Sequence, residues 1–100
     1  MQSARSRNDV GQPARESARL SQAIERVAIL RHPYSRAVQR LIVTGDPLAL
    51  DLLVRPVDAA RQRATECLSD FHAGICPEGE VVDAHDLLAR LMVAVIRQTR

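Results

Sequence analysis

The chain has 100 residues, is 46% apolar and carries a formal charge of only +2. That length bounds it to one domain with a thin core, so help from a second subunit is expected. The two cysteines are too few for a disulfide framework, the first dozen residues lack the apolar stretch of a secretory signal, and no apolar run is long enough to span a bilayer, which points to a cytoplasmic protein with reduced thiols.

Tyr34 and Phe71 are the only aromatic residues, so the core has to be built from Leu, Val, Ile and Ala. All fourteen basic residues are Arg, which reads first as the codon bias of a GC-rich bacterial genome. Charge is uneven along the chain. Residues 1–40 hold eight Arg against Asp9, Glu16 and Glu25, whereas residues 41–100 hold six Arg against nine acids. This polarity suits either two solvated faces of opposite sign or an oriented contact with a charged partner.

Residues 1–12 are polar, basic and aperiodic, and are expected to form a flexible arm ahead of a single helical domain over 13–100. Pro13 suits a first helical turn, and Leu20, Ile24, Val27 and Leu30 recur at helical spacing. Pro33 is expected to stop this helix near Arg31 and begin another. Tyr34, Ala37, Val38, Leu41 and Ile42 form the second stripe. Gly45 is the natural left-handed cap, and Asp46-Pro47 supplies the next N-cap and first helical position.

Leu50, Leu53, Val57, Ala60, Ala64, Cys67 and Phe71 then alternate spacings of three and four, a seam like that of a coiled coil. Pro56 interrupts it, which predicts a short helix at 47–54 and a long one at 56–72. "HAGICPEGE" reads as a loop. The last helix covers 81–98, with Glu78, Glu80, Asp83 and Asp86 near its start and Arg97 and Arg100 near its end, in keeping with the helix dipole. No stretch alternates with period two, so the fold class is all-α, a small bundle of four to five helices.

Sites for chemistry are sparse. Cys67, His72, Cys76 and His85 contain zinc-ligand types, but their spacing lacks the tight C-x2-C hairpin, and Cys67 sits on the apolar seam, so no metal is expected. In "DAHD" Asp83 and His85 point about 200° apart on a helix, and cannot converge on one atom. No nucleophile elbow, phosphate loop or dinucleotide fingerprint occurs. Neither an enzyme nor a cofactor is expected.

Surface patterning is more informative. The last helix is apolar around more than half its circumference, more than the single stripe of an edge helix. Val81, His85, Leu88, Leu91, Met92 and Val95 are therefore expected at the interface of a homodimer, which buries the same patch twice. Arg15, Arg19, Arg26, Arg36 and Arg40 remain free on the first two helices to meet a partner, since Arg stacks and makes forked hydrogen bonds. The alternative is an Arg-rich nucleic-acid binder that uses these residues on phosphates. Glu16 and Glu25 interrupt that face, and the "RHPYS" junction lacks a glycine turn.

"LSQAIERVAIL", followed by "LDLLVRPVDAARQRATECLSDF" with Leu52, Leu53 and Pro56 leading into Ala60 and Ala64, resembles a family of small proteobacterial all-α proteins that includes a quorum-sensing antiactivator. The resemblance covers roughly half the chain. It implies a dimer that binds a LuxR-type transcription factor and keeps it from DNA. No binding residue transfers with it. Read together, residues and resemblance predict a small dimeric helical protein that binds and inhibits or modulates a partner protein.

Overall fold

A computed structural model describes residues 16–99. The expected arm at 1–12, and Arg15 among the expected partner-binding residues, lie outside the described residues. Among the described residues there are three helices and no strand: α1 (Ala18–Thr44), α2 (Pro47–His72) and α3 (Glu78–Gln98). The all-α class holds, and the expected count of four to five helices is not confirmed by the three found among the described residues. None of these helices is long and apolar enough to cross a membrane.

The count falls because neither proline breaks its helix. Pro33 lies inside α1 and Pro56 inside α2. A helical proline leaves the carbonyl four residues earlier without its donor. Here those earlier residues are Ile29 and Leu52, and both they and the prolines are exposed. Water therefore replaces the missing N–H on the outer face. On the inner face Leu20, Ala23, Val27, Tyr34 and Ala37 continue the buried stripe past Pro33, and burial holds the helix together.

The helix ends follow local chemistry. Ser17 caps α1, its hydroxyl accepting from Leu20 N–H at 3.2 Å. Gly45 closes the helix at φ 73°, and its N–H donates to the Ile42 carbonyl. Asp46 then accepts from Ala49 N–H at 3.0 Å, with Pro47 at the first helical position. The turn between α1 and α2 is thus two residues long because each is a specialist.

α1 and α2 form an antiparallel hairpin. At its base His72 Nε2 lies 3.2 Å from Glu16 Oε2, and halfway along the Arg61 guanidinium lies 5.7 Å from the Tyr34 ring centre. α3 runs parallel to α1. Ser17 N–H donates to Glu78 Oε1 at 3.2 Å, and Arg26 pairs with Asp86 at 2.8 Å. α3 packs extensively on both other helices, which touch each other far less. The chain is therefore an open hairpin with its third helix wedged along one side.

That wedge explains the broad apolar arc of α3. Val81, Val82, Leu88, Ala89, Met92 and Val95 are buried by two neighbours rather than one. They meet Val57, Ala60, Ala64, Cys67 and Phe71 of α2 and the inner stripe of α1 in one core.

Candidate functional site

The residues expected at a dimer interface fall mostly inside the chain. Val81, His85, Leu88, Met92 and Val95 are buried in the core, and Leu91 is half-buried against it. The reason is the wedge geometry: the hairpin covers both flanks of α3, so most of the excess arc is buried within one chain, with Leu87 left 42% exposed. His85 owes its place on this apolar line to a local bond. Its Nδ1–H donates to the Val81 carbonyl at 2.8 Å, one turn earlier on the same helix.

Arg19, Arg26, Arg36 and Arg40 are exposed. With Gln22, Ile29, Pro33 and Val43 they fall on one outer stripe of α1, spaced alternately by three and four. Arg26 is held by Asp86, an exposed pair contributing about 0–1 kcal/mol. It lines a depression of about 690 Å³ between α1 and α3 together with Asp83, Asp86, Arg90, Val93 and Arg97. Sequence reasoning missed Arg90 and took Arg97 only as a complement to the helix dipole. The signal was there, since 83, 86, 90, 93 and 97 repeat the same alternating spacing on the outer side of α3.

Among the described residues the end of the hairpin carries several exposed large apolar side chains. The offset set by Arg26 and Asp86 places the last residue of α3, Gln98, level with Val38. Beyond that level no helix among the described residues lies over the hairpin. Ile42 (57% exposed), Val43 (82%), Leu48 (67%) and Leu52 (64%) surround this overhang, and Leu41 and Leu53 are only partly buried. Arg36 and Arg40 border it, in a depression of about 590 Å³ shared with Gln39, Val43, Thr44 and Thr99. Four large apolar side chains within two turns of one loop exceed the scattered exposure of an ordinary surface.

The sulfur and imidazole groups do not assemble. Among the described residues no three His, Cys, Asp or Glu side chains are grouped to hold a metal ion. Cys67 is buried and Cys76 half-buried, both as free thiols. Burial pushes the Cys76 thiol above its ordinary pKa, and the Glu80 carboxylate and the Cys67 thiol add to this. Such a thiol lacks the thiolate character of a nucleophile at neutral pH. His72 turns outward to Glu16, and His85 is committed to Val81.

A third feature lies between α1 and α2. Because these helices are held apart by α3, a groove of about 450 Å³ runs between them, with His85, Leu88 and Met92 along its floor. Nothing in the sequence announced it, since its walls come from residues thirty or more positions apart.

No protein-family model, curated protein or solved structure matches the chain.

Proposed function

We propose that the chain is a small helical interaction protein that associates with a second copy and binds and modulates a partner protein, in the manner of an antiactivator acting on a LuxR-type transcription factor. The observation that supports it is the apolar overhang bordered by Arg36 and Arg40. Apolar side chains that remain in water cost free energy, and a bundle that leaves four together invites another polypeptide onto them. The exposed parts of Ile42, Val43, Leu48 and Leu52 amount to roughly 500 Å² per chain, so two overhangs packed together bury on the order of 1,000 Å². That is the lower bound of a specific interface and implies a weak, exchangeable dimer. The arginine stripe of α1, with Arg90 and Arg97 of α3, is left for the regulated partner.

The self-association is tested by sedimentation of the full chain across a concentration series. A reversible dimer in the micromolar range is expected, abolished by Leu48→Asp with Leu52→Asp while helicity is retained. Monomer at every concentration up to about 200 μM removes the dimer from the reading. Partner binding is tested by affinity purification of the tagged chain from its native host. A transcription regulator recovered with the wild type should be lost on Arg36→Glu with Arg40→Glu.

The arginine face also favours one rival, contact with nucleic-acid phosphates. Asp83 and Asp86 in the same depression argue against it, because they repel a polyanion at one end of the site. A mobility shift on mixed DNA that weakens steeply with salt would transfer the function to that rival.

A further inference from the structure

We propose that the groove between α1 and α2 binds a small amphiphilic anion, a medium-chain aliphatic carboxylate bearing a hydroxyl remote from its head group. This site is separate from the overhang and from the arginine face of the partner-binding reading. Three independent features define it.

The first is charge. Arg31 of α1 and Arg61 of α2 line the groove, and no carboxylate does. Among the described residues Arg31 makes no ion pair, while Arg61, whose guanidinium lies 5.7 Å from the Tyr34 ring centre, has one loose ion pair of 3.8 Å with Asp58. One guanidinium from each wall is available to a carboxylate that enters the groove. The second is the apolar middle. Val27, Ala28, Ala64 and Leu88 lie between the ends, and the small side chains at 28 and 64 leave open the space between walls that α3 holds apart. A volume of about 450 Å³ falls within the range of small-ligand sites.

The third feature is His85. Its side chain lines the groove although only 6% of the residue is exposed. A carbonyl can only accept, so the contact with Val81 places the proton on Nδ1. Nε2, at the far edge of the ring, is then an acceptor, and among the described residues it has no partner. The residue as a whole is 6% exposed and lines the groove, so a hydroxyl entering there can donate to this nitrogen. The antiparallel register separates this nitrogen from the arginines. His85 lies at the level of Ile24 and Leu68, and Arg61 at the level of Tyr34 and Arg31. The span from Ile24 to Arg31 is two helical turns, roughly 10 Å at 1.5 Å per residue. That length fits a chain of about eight carbons, anionic at one end and donating a hydrogen bond at the other.

The probes are octanoate, 8-hydroxyoctanoate and octylammonium, titrated into the full chain with methyl groups observed by NMR. For ligands of this size a dissociation constant on the order of 0.1–1 mM is expected for octanoate. The hydroxyl should tighten binding by about three- to tenfold. Shifts should centre on Ala28, Ala64, Leu88 and Met92. The exposed changes Arg31→Glu and Arg61→Glu should abolish binding without altering helicity, and Leu48→Asp should not affect it. Equal binding of octylammonium, persistence in both charge-reversed variants, or shifts confined to Ile42, Val43 and Leu48 would each overturn the site. So would the absence of any shift at about 5 mM ligand.

Discussion

Leu88→Asp separates the wedge architecture from any arrangement in which α3 faces a second subunit. Leu88 is 2% exposed and sits on the floor of the groove, against α1 and α2 together. Removing its side chain from the core forfeits about 1.5–3 kcal/mol of apolar transfer free energy. A carboxylate in its place adds a desolvation cost of several kcal/mol if no water reaches it. The groove lets water approach from one side, so the lower part of that range applies and the total comes to about 3–5 kcal/mol. A domain of this size is stabilised by about 5–10 kcal/mol, so the variant should lose a large share of its stability. Urea denaturation followed by circular dichroism measures this directly, with Leu48→Asp on the exposed overhang as the control, expected within about 0.5 kcal/mol of wild type. The loss should also shrink as the pH falls and the new carboxyl takes up its proton, since only the charged form is excluded from the core. If Leu88→Asp unfolds cooperatively within about 1 kcal/mol of wild type, α3 is not wedged as described.

Three further outcomes are expected. Pro33→Ala or Pro56→Ala should each stabilise the chain, by about 1–3 kcal/mol in thermal or urea unfolding, because both sites are already helical and exposed and regain a backbone donor. Gly45→Ala should cost about 1 kcal/mol: a Cβ there meets no neighbouring atom, so the penalty comes from the left-handed backbone alone and not from a clash. Tyr34 has a buried hydroxyl without a hydrogen-bond partner, so Tyr34→Phe should be neutral or stabilising by up to about 1 kcal/mol in the same assay. Burial raises the Tyr34 pKa above its ordinary 10.0, reinforced by Asp58 and opposed by Arg61. The folded state therefore holds the phenolic proton more tightly than the unfolded one. Its stabilising effect is complete below pH 10 and is lost as the pH rises through the folded pKa; the phenylalanine variant should lack that alkaline loss.

Much of this molecule is legible in one dimension. The turn at Thr44–Pro47 follows from Gly45, Asp46 and Pro47, and the inner stripes of all three helices follow from spacings of three and four, because caps and amphipathic periodicity are local properties. The seam from Val57 to Phe71 is buried as its spacing implies. Only the tertiary structure decides what local signals leave open. Pro33 and Pro56 read as breaks, yet they are tolerated because each sits on a solvent-facing side where water can satisfy the freed carbonyl. The wide apolar arc of α3 reads as an unpaired surface. Most of it is internal because α1 and α2 stand apart and receive the helix between them, a fact of packing angles and not of any one helix. The same separation opens the groove floored by His85, Leu88 and Met92. The register of α3 against α1 leaves Ile42, Val43, Leu48 and Leu52 uncovered, since a helix wheel reports which way a residue points but not whether another helix extends far enough to cover it.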